Sequence, residues 1–269
     1  MKKHEKFLTN HIKYEKKYST ENGLHYELHC HDQYEINYIL DGDVVFLMEG
    51  MEFRPPKNSV LLIAPHKFHG LYTISERPYI RHQIHFYKDL LQDEEEQLLL
   101  LPFTKENVMF CHADRFHLDH YMEAIDDCQI LDSWLLDIAI RSRLVSILTQ
   151  LNAISASAIS GQELDPIAQE VLTYINAHLT EPLYVEEIAK RFFMSKNYLT
   201  KIFRKITGTT VANYILHKRL SIAKGLIQSG IPATQAAIQS GFFEYSTFYR
   251  NYKKIFGHSP NEECLTTTH

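Results

Sequence analysis

From Glu27 to Phe86 the chain is built of short apolar runs broken at Gly, Pro, Asn or Asp. Tyr34-Glu35-Ile36-Asn37-Tyr38-Ile39-Leu40 ends in the turn Asp41-Gly42-Asp43. Val44 to Met48 is followed by Glu49-Gly50, and Val60-Leu61-Leu62-Ile63 runs into Ala64-Pro65. Tyr79 to Phe86 is a further β-rich run. Runs punctuated in this way predict a small β-barrel or sandwich. From Asp114 to Asn152 the period lengthens. Ile125, Cys128, Leu131, Leu135, Ile138, Leu144, Ile147, Leu148 and Leu151 keep approximate helical spacing, which predicts two amphipathic helices. Their apolar surface either covers the β domain or pairs with a second chain, since one stripe serves either purpose. Ala153 to Gly161 is small and polar and reads as an interdomain linker.

The last hundred or so residues are helical throughout and contain a repeat: Ala189, Leu199 and Phe203 recur as Ala237, Phe248 and Tyr252. Asp165-Pro166 opens a helix with Ile167, Val171, Leu172 and Ile175 on one face. A second helix holds Val185, Ile188 and Ala189, and Ser195 stands ready to cap a third. In that third helix Leu199, Ile202, Phe203 and Ile206 face inward, while Asn197, Thr200, Lys201 and Arg204 face outward. Gly208 ends it. A connecting helix follows with Val211, Tyr214, Ile215, Leu220, Ala223, Leu226 and Ile227. Gly225 inside it either costs on the order of 1 kcal/mol against Ala or permits close packing. After Gly230 and Pro232 the second copy begins with Ala233, Ala236 and Ala237. Gly241 supplies a positive-φ turn. Phe248, Tyr252, Ile255 and Phe256 then point inward, and Tyr245, Ser246, Tyr249, Arg250 and Lys253 outward.

Composition sharpens this picture in three ways. The 269 residues, 45% of them hydrophobic, suffice for two domains with packed cores. No apolar run follows the basic start, and Leu98 to Leu101 is far too short to span a bilayer, so neither a signal peptide nor a membrane partner is expected. The four cysteines are scattered, which fits a reducing cytoplasm. The net charge of -5 hides an asymmetry: residues 164–263 carry 12 Lys+Arg against 8 Asp+Glu, the remainder 16 against 25. Only the C-terminal part is therefore suited to a polyanion. Outward donors and acceptors on two repeated helices suit base edges and phosphates of a DNA groove. The candidate contacts are Lys196, Asn197, Thr200, Lys201 and Arg204 in the first copy, and Tyr245, Ser246, Tyr249, Arg250 and Lys253 in the second.

Gly241-Phe242, Thr247-Phe248, Arg250, Tyr252-Lys253-Lys254, Phe256-Gly257 and Pro260 resemble the signature of the AraC-type transcription regulators, over about residues 164–262. The resemblance implies seven helices forming two helix-turn-helix units on one connecting helix. It places the recognition helices in successive major-groove segments roughly 34 Å apart. It makes Asn197, Thr200 and Lys201 the base-facing candidates of the first unit, and Tyr245, Ser246 and Arg250 those of the second. The chain departs from the pattern with Phe193 at a usual turn glycine, Tyr184 at a usual Ser or Thr cap, and Ala233 and Ala236 in place of bulkier residues. Upstream, Gly23, His29, His31, Glu35 and Gly42 resemble the first cupin motif. In the second motif Asn58, Ala64 and His66 replace Gly, Pro and Gly, while Pro65 and His69 remain.

The resemblance implies a cupin barrel over about residues 20–90, the sensory module of such regulators. His29 and His31 share a strand face, and Glu35 and His69 could join them. Three readings of this set stay open: a metal-dependent enzyme, a pocket for a small polar ligand with or without a bound metal, or packing alone. Arg81 and Gln83 share one face of a later strand as further pocket candidates. The expected fold is multi-domain α and β: a cupin-like β-barrel (1–110), a helical dimerisation or packing segment (111–152), a linker (153–163) and an all-α double helix-turn-helix domain (164–269). The function it implies is a cytoplasmic, non-enzymatic, ligand-responsive regulator without a cofactor. Its partners would be double-stranded promoter DNA, a small-molecule effector of the carbohydrate class, a second copy of the chain and RNA polymerase. The rival reading is a metal-dependent cupin enzyme fused to a DNA-targeting module.

Overall fold

The computed structural model describes residues 4–8, 12–20, 25–105, 108–154, 158–163 and 165–262. Gly23 of the first cupin-like motif and Cys264 lie outside them. The chain divides into two units, Met1–Glu27 with Gln33–Gln162, and Leu28–Asp32 with Glu163–His269.

Seven strands form one sheet in the order β1 (His4–Leu8), β2 (Ile12–Ser19), β9 (Tyr79–Phe86), β4 (Tyr34–Asp41), β7 (Ser59–Ile63), β10 (Val108–Phe110) and β11 (Ala158–Ser160). Five form a second, in the order β12 (Gln162–Glu163), β6 (Met51–Phe53), β5 (Val44–Met48), β8 (His69–Thr73) and β3 (His25–His29). The β domain expected from the punctuated runs is thus built of two sheets. Two pieces of the stretch expected as linker are strands: β11 pairs with β10, and β12 lies beside β6. Ladder pairing uses backbone groups, so the small polar side chains there gave no strand signal.

Side-chain alternation gives the first sheet two different faces. Tyr14, Ile36, Tyr38, Ile84 and Phe86 share one core cluster with Met122 and Ile125 of α2 (Leu118–Asp126) and with Ile140, Leu144, Ile147, Leu148 and Leu151 of α3 (Ser133–Ile154). A short helix, α1 (Glu94–Gln97), precedes them and ion-pairs through Glu96 with Arg141. The apolar stripe of α2 and α3 therefore covers the sheet, and Ile138, counted in that stripe from its spacing, stands 61% exposed. The opposite face carries Ile39, Leu61 and Ile63, which pack with Val44, Phe46, Met48 and Leu71 of the second sheet. Burial on both faces explains why β7 is buried at every position and reads as a continuous apolar run. The glycine at 42 follows from a turn with φ 124°, where a Cβ would fall 2.9 Å from Tyr79 Cα.

The second unit holds α4 (Pro166–Ala177), α5 (Val185–Arg191), α6 (Lys196–Thr207), α7 (Val211–Gln228), α8 (Ala233–Gln239) and α9 (Tyr245–Phe256). These are six of the seven helices that the resemblance implies, counted among the described residues. Asp165 caps α4 by accepting from Ala168 N at 3.1 Å, and Ser195 caps α6 by accepting from Tyr198 N at 3.2 Å. Leu199, Phe203 and Ile206 are fully buried, and Phe203 meets Tyr214 of α7 edge to face at 5.3 Å. Leu220, Ala223 and Ile227 of α7 form a second cluster with Ala233, Ala236, Ala237, Phe248 and Tyr252. Ala236 and Ala237 are 0% and 2% exposed in that cluster.

Gly225 has nothing within 4 Å of where a Cβ would stand, so close packing does not account for it. Gly225→Ala is expected to stabilise the second unit by up to about 1 kcal/mol, read as a higher urea midpoint at unchanged slope. A lower midpoint would show that the glycine is required by packing.

Candidate functional site

The two short helix pairs, α5–α6 and α8–α9, close their first helices in the same way. In the first, Phe193 N donates to Lys190 O and Met194 N to Ala189 O. In the second, Gly241 N donates to Ile238 O and Phe242 N to Ala237 O. Ser195 and Glu244 are the N-caps that follow. The copies are therefore offset by 48 residues before the turn and 49 after it, and Phe243, 70% exposed, is the extra residue. Phe193 and Gly241 occupy the same left-handed position, at φ 54° and 91°. A Cβ at Gly241 would lie 2.5 Å from Leu179 O, whereas the Phe193 side chain is 99% exposed.

Beyond the turns, α6 exposes Lys196, Asn197, Lys201 and Arg204, and α9 exposes Tyr245, Ser246, Arg250 and Lys253. Thr200 and Tyr249 are half-buried. The Thr200 hydroxyl donates to Lys196 O at 2.9 Å, which leaves its oxygen as an acceptor toward solvent. Lys196 is engaged with Glu186, whose carboxyl its hydrogen bond holds below the usual range. With the 49-residue offset, Lys201 corresponds to Arg250 and Arg204 to Lys253. None of these four cations has an ion pair among the described residues. Each helix thus presents two unpaired cations one turn apart, over an inner face of buried aliphatic and aromatic side chains.

Arg219 of α7 fixes this arrangement. Its Nε donates to Leu179 O at 2.7 Å and its NH2 group to Glu181 O at 2.6 Å, satisfying carbonyls beyond the end of α4. Gly241 packs against the same Leu179 carbonyl.

The first unit contains a buried polar cluster on the face of the first sheet away from α3. Glu35, 1% exposed, accepts from Asn37 Nδ2 at 2.6 Å and from Gln83 Nε2, with His69 Nε2 at 3.1 Å and His85 Nε2 at 3.9 Å. Burial opposes charge on His69, but the Glu35 carboxylate and the Lys67 carbonyl together outweigh it and hold that imidazole's pKa above the usual histidine value. Arg81 donates through NH1 to Tyr79 Oη at 3.1 Å and through NH2 to Gln83 Oε1 at 3.2 Å. On the other face, toward the helices, His82 bonds Tyr14 Oη at 2.5 Å, and burial lowers its pKa to about 4.

Of the residues singled out from the sequence, Glu35, His69, Arg81 and Gln83 meet in this cluster. His29 and His31 lie on Leu28–Asp32, which groups with the second unit. Their rings are 5.9 Å apart, and His29 is exposed. The sequence reading passed over Asn37, Tyr79 and His85, although strand alternation puts Tyr79 and His85 on the face of Arg81 and Gln83. It also passed over Lys17, which only the β2–β9 register brings opposite Arg81, and Arg219, which carries no motif.

Residues 15–165 match the family described as AraC-like ligand binding domain, and residues 188–263 match a helix-turn-helix domain family. The chain belongs to the AraC family of transcription regulators, a ligand-binding domain followed by a helix-turn-helix DNA-binding domain. Over 97 residues it is 31% identical to regulatory protein SoxS of Escherichia coli, covering 36% of this chain and 91% of that one. Over 95 residues it is 33% identical to the right origin-binding protein of E. coli, covering 35% of this chain and 33% of that one. The crystal structure of ToxT from Vibrio cholerae aligns over 96% of this chain and 100% of its own, at 15% identity and a TM-score of 0.41. No helix among the described residues is long and apolar enough to cross a membrane.

The two turns generate opposite expectations. Phe193→Gly removes a bulky residue from a left-handed position without losing packing, and should raise stability by about 0.5–1 kcal/mol in chemical denaturation. Gly241→Ala should lower it by about 2 kcal/mol or more, because the new Cβ meets backbone. Equal effects at the two positions would contradict their shared geometry.

Proposed function

We propose that both helix pairs bind DNA as helix-turn-helix units, with α6 and α9 entering successive major-groove segments of promoter DNA. The observation that carries this reading is the recurrence of two unpaired cations, Lys201/Arg204 and Arg250/Lys253, at equivalent outward positions of two capped helices. Asn197, Thr200, Tyr245 and Ser246 add donors and acceptors beside them, as base edges require.

The first unit binds a small effector of the carbohydrate class in the polar face around Glu35, His69, Arg81 and Gln83. The effector acts by differential affinity for two arrangements of the DNA-binding units. A second copy of the chain is the partner of the apolar residues left outward here, Ile130 between α2 and α3 at 89% exposure and Ile138 of α3 at 61%. No turnover is proposed. The protein acts in the cytoplasm.

Selection of bound sequences from random duplex DNA tests the whole reading. A purified chain that prefers no sequence over competitor at low salt would sink it. Arg250→Ala is expected to cost about 1–3 kcal/mol and to relax specificity at one base pair. Lys253→Ala is expected to weaken binding to all sequences alike and to reduce the salt slope by about one phosphate's share. An unchanged slope would remove Lys253 from the interface.

A further inference from the structure

Strands β2 and β9 pair so that Lys17 lies directly opposite Arg81. Like charges opposite one another on a sheet are destabilising. Both cations also lie over one ring: Lys17 Nζ and Arg81 Cζ are each 5.3 Å from the centroid of Tyr26. Arg81 is 3% exposed. Burial first, and then the charge of Arg81, hold the Lys17 ammonium below the usual lysine range.

The charge of Glu35 favours the Arg81 guanidinium, but no neighbouring carboxylate among the described residues is bonded to it. Glu15 is taken by Lys17 at 3.2 Å, with Lys13 at 3.8 Å. Glu35 is taken by Asn37, Gln83 and His69. Gln83 stands between anion and cation: its amide nitrogen donates to Glu35 while its oxygen accepts from Arg81. Arg81 therefore contacts two neutral acceptors and no carboxylate among the described residues. Its buried Nε has no hydrogen-bond partner there either. A buried guanidinium with N–H donors to spare is costly to maintain. It is also the group best shaped to take a carboxylate or phosphate by two parallel bonds.

We propose that the effector carries an anionic group, a carboxylate or a phosphate, bound by Arg81 with Lys17 beside it over the Tyr26 ring. This rests on the reading of the first unit as the effector-binding part, and it narrows the carbohydrate class to sugar acids and sugar phosphates. Bound there, the anion separates two facing cations and satisfies the free edge of the guanidinium.

Thermal unfolding of the full chain tests this with glucuronate, glucose 6-phosphate, inorganic phosphate and glucose, each at ionic strength matched with sodium chloride. At least one of the three anions should raise the melting temperature where chloride and glucose do not. Glucuronate against glucose 6-phosphate tells carboxylate from phosphate. Arg81→Gln should abolish the shift. Lys17→Gln, at a half-buried position, should weaken the dissociation constant about tenfold and covers the case in which Arg81→Gln fails to fold. An anion dissociation constant unchanged in Lys17→Gln, or an anion shift that persists in a folded Arg81→Gln chain, places the anion elsewhere and overturns the proposal. A shift with glucose and none with the anions also overturns it, while leaving the first unit as the sensor. No shift with any of the four removes both the proposal and the carbohydrate-binding reading.

Discussion

The second unit depends on a single charged anchor, the Arg219 guanidinium. It reaches from the connecting helix α7 to the Leu179 and Glu181 carbonyls, and the Gly241 backbone packs on the first of these. Three segments remote in sequence are joined there: the end of α4, the middle of α7, and the turn of the second helix pair. Charge-assisted hydrogen bonds are worth about 1.5–3 kcal/mol each when half-buried donors meet otherwise unsatisfied carbonyls. A joint of this strength holds α9 in a fixed relation to α4 and α7. The cation pairs on α6 and α9 can match phosphates at two places on one duplex only if their spacing is fixed.

The first unit solves a different problem with the same economy of means. Its seven-stranded sheet puts Ile36, Ile84 and Phe86 toward α2 and α3, so the helices supply one complete core. The opposite face is then free to hold Glu35, Asn37, Arg81, Gln83 and His85, all of them at least nine-tenths buried. Buried polar groups are tolerated there because most are mutually hydrogen-bonded. The groups that are not fully matched, Arg81 above all, are where an outside molecule has most to offer.

Much of this was legible along the chain. The repeat, the caps at Asp165 and Ser195, the inward rows of α6 and α9 and the outward cations follow from local spacing, and local spacing is what a helix preserves. Phe193 was visible as an anomaly at a glycine position, and its φ of 54° shows that the backbone is held left-handed despite the side chain. The one-residue insertion at Phe243 was present in the offsets but had no meaning until the closing hydrogen bonds fixed which turn residues correspond. The strands β11 and β12 were missed because edge pairing leaves no pattern in small polar residues. Histidine spacing proposed a fourfold set, of which Glu35 and His69 lie in the first unit and His29 and His31 on Leu28–Asp32.

The sequence by itself determined the two-part organisation, the duplicated helix pair and the faces of each helix, because these depend on periods of two and 3.6 residues that neighbours in the chain express. Only the tertiary structure decided that Lys17 faces Arg81, that Gln83 separates Arg81 from Glu35, and that Arg219 fastens α7 to the end of α4. Those pairings depend on strand register and on the meeting of distant segments, and no local periodicity records which residue will lie across from which.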